Sequence, residues 1–72
     1  MGQELVGLSA SVTVPIRGRK AAGKVVVSGC EFVAYSSQHI KAGQLVEVVA
    51  VTAYRTVEVK WHRWLNVTSW DR

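Results

Sequence analysis

Between Gly23 and Val51 short runs of β-branched and aromatic residues alternate with glycine joints, and that punctuation is what most constrains the fold. Gly23 to Ser36 reads as two short strands, Lys24 to Ser28 and Glu31 to Ser36, joined by a Ser28-Gly29 turn of the two-residue hairpin type. A polar crossing from Ser37 to Gly43 is too short for a helix of ordinary length and leads into a longer strand, Leu45 to Thr52. Upstream, Leu8, Ala10, Val12 and Val14 alternate with Ser9, Ser11 and Thr13, a period of two that predicts a first strand over Gly7 to Val14, ended by Pro15. A basic loop, Ile16 to Ala22, follows it. Downstream, Val57, Val59 and Trp61 alternate with Glu58, Lys60 and His62, which predicts a fifth strand from about Arg55, with Ala53-Tyr54 as the connection. Five antiparallel strands with short turns close as a small all-β barrel. The leading solution is a five-stranded oligonucleotide/oligosaccharide-binding (OB-like) barrel without the helix between strands three and four; an SH3-like barrel is second.

The expected interior comprises Val12, Val25, Val27, Phe32, Ala34, Val46, Val48, Val57 and Val59. With 72 residues the chain is a single domain that buries only about 60% of its unfolded surface. A core of this size supplies about 3–5 kcal/mol, and the single cysteine, Cys30, excludes a disulfide staple within the chain. It also excludes a zinc site of the multi-cysteine type. No apolar run approaches the roughly 18 residues of a membrane helix, and Met1 to Glu4 lacks the pattern of a signal peptide. The chain therefore reads as soluble, and equally well as the soluble piece of something larger. The organisation expected is a barrel over residues 1–62 and a tryptophan-rich tail over 63–72.

The formal charge is +4, and Arg17, Arg19, Lys20 and Lys24 fall within eight positions while the five acids are scattered. Such a cluster suits nucleic acid, anionic headgroups or an acidic protein, or simply solubilises a loop. In the tail, Trp61, Trp64, Leu65 and Thr68 recur at helical spacing, predicting one or two turns between Trp61 and Trp70. Trp61 and Trp64 would then plug the open barrel end or form a contact patch on a protein or a membrane surface; Trp70 is better placed for contact than for core.

Gly23-Lys24-Val25-x-Val27-x-Gly29-x-Glu31-Phe32-x-Ala34-x-Ser36 followed by Ile40-x-x-Gly43-x-x-Val46-x-Val48-Val49-x-Val51 resembles the carboxy-terminal domain of the NfeD family over roughly residues 5 to 60. Cys30 departs from the family pattern by lengthening the turn before Glu31, and the tail from residue 61 continues past the usual end. The resemblance implies an OB-like barrel that follows membrane helices in the full-length protein, on the cytoplasmic side. It also implies work alongside membrane scaffold proteins of the stomatin, prohibitin or flotillin type. Any serine protease segment of the long family members would lie outside this chain.

The residues themselves supply little chemistry. Cys30 and His39 are the only nominal nucleophile and base, and nothing in their spacing brings them together. His39 and His62 have no ligand spacing for a metal, no glycine loop cradles phosphate, and no cofactor is expected. Asn66-Val67-Thr68 matches the glycosylation triplet, a pattern common by chance. The competing reading is a single-stranded nucleic-acid-binding OB module, which stacks bases on exposed aromatics beside a positive groove. Phe32 and Tyr35 point to opposite faces, so at most one of them is outside; the resemblance implies that Phe32 is in the core, which leaves Tyr35 as a single platform. The expected function is thus a non-enzymatic interaction domain beside a membrane, with Arg17, Arg19, Lys20, Tyr35, Trp64 and Trp70 as candidate contact residues.

Overall fold

The computed structural model describes residues 3–19 and 21–67. After a 3₁₀ turn at Gln3–Leu5 come β1 (Ser9–Val14), β2 (Ile16–Arg17), β3 (Gly23–Val27), β4 (Cys30–Tyr35), β5 (His39–Ile40), β6 (Leu45–Ala53), β7 (Thr56–Trp61) and α1 (Arg63–Asn66). Five of these strands close a barrel in the order β1-β3-β4-β7-β6, while β2 and β5 pair separately. The five strands expected from periodicity are the five staves, and no α-helix lies between β4 and β6.

Two expectations about pairing are corrected. The staves are not all antiparallel: β4 and β7 run parallel, with Val33, Ala34 and Tyr35 facing Thr56, Val57 and Glu58. A ring with an odd number of strands cannot alternate direction all the way round, so one parallel pair is obligatory. Cys30 does not lengthen the hairpin turn. It pairs with Val27 as the first residue of β4, and Ser28 (φ 51°) and Gly29 (φ 82°) alone make the turn. Both left-handed, they follow the pattern whose twist matches that of the flanking strands.

Closure of so short a sheet requires bending. Bulges interrupt β1 between Val12 and Val14, and β6 at Val49 and Thr52. Each adds a residue to one strand only and increases local coiling.

The core is formed by Ala10, Val12, Ile16, Val25, Val27, Ala34, Ile40, Val46, Val48, Val57 and Val59. Eight of the nine expected interior residues are there. The ninth, Phe32, is half-buried at the rim, because β4 pairs with β7 only from Val33 onward and its first three residues flank an open barrel mouth. Ile16 and Ile40, expected in polar loops, are instead fully enclosed, facing each other across β2 and β5. This two-stranded flap closes the barrel bottom, the role expected of Trp61 and Trp64. Trp61 is half-buried against the core, whereas Trp64 is 69% exposed and plugs nothing.

Candidate interaction surfaces

Strand directions sort the loops to two ends. The bottom gathers the far end of β1, the start of β3, the end of β4, the start of β6 and the end of β7, and with them the 15–22 loop, the 36–44 crossing and α1. The top carries the Ser28-Gly29 and Tyr54-Arg55 hairpin turns and the 3₁₀ turn.

At the bottom, β2 sets Arg17 opposite His39, and Lys41 follows on the same flap. Arg17, Arg19, Lys24 and Lys41 are all exposed. Tyr35 ends β4 at this level, 43% exposed. Of the six candidate contact residues, Arg17, Arg19, Tyr35 and Trp64 are thus gathered at one end; Lys20 and Trp70 lie outside the described residues. Ser36, buried behind the flap, has its hydroxyl satisfied by the Gln38 N–H at 3.1 Å.

The helical spacing of the tail produces only the four residues of α1, too few to hold by propensity. Side chains hold it instead. The Asn66 amide accepts from the Leu45 N–H (2.8 Å) and donates to the Leu45 carbonyl (3.1 Å), and also donates to the His62 carbonyl (2.9 Å). An amide side chain offers the donor and acceptor of a peptide unit, so Asn66 continues the ladder along β6 after β7 has ended at Trp61. Next to it, His62 Nε2 lies 2.6 Å from Glu47 Oε1, and the His62 ring stacks on Trp64 at 5.2 Å between centroids. Trp61 is tied by its backbone N–H to Gln38 Oε1 (3.0 Å) and by its indole N–H to Gln44 Oε1 (2.8 Å). Asn66→Ala should release α1 while leaving the barrel folded. Stability should fall by about 1–2 kcal/mol, since the three bonds are partly exposed, and exchange of the Leu45 amide hydrogen should speed up. Unchanged Leu45 exchange would show that the clamp does not operate in solution.

The top carries a feature that the sequence did not disclose. Leu5, Phe32, Val51 and Ala53 line an apolar groove of about 650 Å³, edged by Glu4, Cys30, Tyr54 and Arg55. Arg55 occupies the left-handed region (φ 57°) in a turn without glycine, a costly conformation for a bulky residue. Tertiary bonds hold it there. Its carbonyl accepts from the Val33 N–H at 2.9 Å, its Nη1 donates to the Glu31 carbonyl at 3.1 Å, and its guanidinium lies 5.8 Å from the Phe32 ring centroid. Tyr54, 89% exposed, stands at the lip. Two bulky residues in a two-residue turn, where glycine or asparagine is the rule, were the available signal.

Catalytic geometry is not assembled by the candidates named above. Cys30 starts β4 at the top while His39 lies on the bottom flap, so they form no nucleophile and base pair. Among the described residues, no three His, Cys, Asp or Glu side chains are placed to hold a metal ion. For base stacking, Phe32 sits beneath Arg55, and Tyr35 remains the single exposed aromatic of the β3–β4 hairpin.

No protein-family model matches the chain, and no curated protein matches it. Solved structures do. The C-terminal domain of stomatin operon partner protein 1510-C from Pyrococcus horikoshii superposes with a TM-score of 0.74 and 27% identity, over 85% of this chain and 92% of that one. The soluble domain of a membrane protein implicated in regulation of membrane protease activity, from Corynebacterium glutamicum, gives 0.73 and 26%, over 82% and 94%. The soluble domain of the NfeD protein YuaF from Bacillus subtilis gives 0.73 and 26%, over 82% and 75%. Similarity therefore spans nearly the whole barrel, in chains of comparable length.

Proposed function

The chain is an NfeD-like barrel domain, and from that premise we propose that it acts as a non-enzymatic protein-interaction module of a membrane-tethered protein, working with a stomatin- or flotillin-type scaffold. The observation that carries this reading is the likeness to a domain of a stomatin operon partner, over 85% of the chain. The top groove is the surface we assign to the scaffold. Its walls are mainly apolar, it sits at the open barrel mouth, and hydrogen bonds from the Arg55 turn to Val33 and Glu31 tie down its lip.

The test is direct binding between this chain and the stomatin- or flotillin-type proteins of its own genome, measured by calorimetry. Binding to one of them is expected, and Tyr54→Glu should weaken it by tenfold or more while leaving the thermal transition in place, because an 89% exposed side chain supports no core. Absence of binding to every such protein would overturn the scaffold reading. Full-strength binding by Tyr54→Glu would overturn the groove as its site.

A further inference from the structure

We propose that the bottom of the barrel is a docking surface for anionic lipid headgroups, with Arg17, Arg19, Lys24, Lys41 and Arg63 facing the charged plane and Trp64 inserted at headgroup level. This surface is separate from the groove, and lipid binding there does not require a scaffold protein to occupy the top.

Charge is divided unevenly between the two ends. The top carries Glu4 and Glu31 against Arg55. Toward the bottom the five cations named are exposed, and no ion pair engages any of them among the described residues. Among the described residues, the carboxylates of that half are Glu47 and Glu58. Glu47 is taken by His62 at 2.6 Å, and Glu58 lies on the β7 wall with Lys60 two residues on, on the same face. A positive end and a mildly negative end give the barrel an orientation in any field set up by a charged surface.

Arg17, Lys41 and the aromatic are linked along the bottom. Arg17 and Lys41 border the same shallow depression of about 260 Å³, with Pro15, His39 and Ile40. Lys41 also borders the next one, of about 380 Å³, which reaches Gln44 and Trp61. One residue beyond Trp61, His62 carries Trp64 on its ring. Exposed apolar side chains lie between the charges: Val14 pairs with Lys24, and Leu45 is held by Asn66 at the foot of α1.

Interleaved cations, aliphatics and a tryptophan at one end suit a headgroup plane, where charge attracts and short apolar side chains enter the interface. They suit nucleic acid less well. Single strands need stacking faces in line with the phosphate track, and the β3–β4 hairpin offers Tyr35 alone. The cations also stand singly on different elements, with no paired guanidinium fork for a phosphate or carboxylate of fixed geometry. With the bottom on the lipid, the top groove would face away from the membrane, open to a partner.

Co-sedimentation with vesicles of phosphatidylcholine alone and of phosphatidylcholine mixed with phosphatidylglycerol tests this. Partitioning onto the mixed vesicles is expected to exceed that onto neutral ones and to collapse at high salt. The triple variant Arg17→Glu, Arg19→Glu, Lys41→Glu should lower it by about 100-fold or more, with an unchanged thermal transition. Should that variant not fold, the pair Arg19→Glu, Lys41→Glu and the salt titration of the parent carry the same test. Trp64→Ser should weaken binding while preserving its salt dependence. Equal partitioning onto neutral and anionic vesicles, or a folded triple variant that binds like the parent, would overturn the assignment. So would tighter, reversal-sensitive binding to a single-stranded oligonucleotide than to vesicles, which would give the surface to nucleic acid.

Discussion

Gly23→Ala is expected to unfold the domain or to leave it barely stable, a large effect for one methyl group. A Cβ at Gly23 would fall onto the Val14 carbonyl oxygen and lie 2.5 Å from that of Pro15. Both obstacles are backbone, at the corner where β1 turns into the flap, so no rotamer change relieves the overlap. Relief requires β3 to move away from that corner. That movement would break the Val14–Lys24 register and tilt Val25, fully buried, out of the core. Overpacking of a dense interior costs about 1–3 kcal/mol where side chains can yield, and more where only backbone is available. Against the roughly 3–5 kcal/mol expected of so small a core, that is most of the margin. Gly43→Ala supplies the control. Gly43 has φ +92° and nothing within 4 Å of where the alanine methyl would stand, so the substitution meets strain in its own backbone but no clash. It should cost about 1–2 kcal/mol. Thermal unfolding of both variants separates the two uses of glycine. Equal, mild losses would show that the β1–β2 corner yields more readily than its geometry implies.

What the sequence disclosed and what it hid follow from how far apart the interacting residues lie. The staves were legible because a half-buried strand repeats every two residues, and Val57, Val59 and Trp61 carry that repeat without a neighbour's help. Flap strands β2 and β5 have two residues each, too few to show a period, so Ile16 and Ile40 pass for apolar residues inside polar loops. A closed ring of five strands implies one parallel pair, but only the structure shows that it is β4–β7. Of the groove only the bulky Tyr54-Arg55 turn showed in the sequence, since its walls come from Leu5, Phe32, Val51 and Ala53, which meet only after closure. Asn66 shows the same limit. Its triplet invites a reading as a glycosylation signal, while its amide is engaged with Leu45, 21 residues away. Arg17, Arg19, Tyr35 and Trp64 stand out as candidate contacts because charge and exposed aromatic area are visible in composition. Their common location at the bottom depended on topology.

Val48→Asp should abolish folding, while Val49→Asp, one residue on, should be tolerated. Val48 lies at the middle of β6, opposite Val59, with 0% exposure, and Val49 is the bulged residue beside it, 38% exposed. An aspartate at 48 would lie in the core cluster with Val12, Val46, Val57 and Val59, where no buried side-chain donor among the described residues is left unpaired. An unpaired buried carboxylate costs several kcal/mol, whether it ionises or takes up a proton to avoid doing so. That exceeds the whole stability expected of a 72-residue barrel. At 49 the same side chain reaches water, and a surface substitution of this kind stays within about 0.5 kcal/mol, a few degrees in the thermal transition. Because side chains alternate between faces, the paired variants read the register of β6 directly: a slip of one residue would exchange their fates. A cooperative transition retained by Val48→Asp and lost by Val49→Asp, followed by circular dichroism on heating, would mean that β6 turns its opposite face to the core.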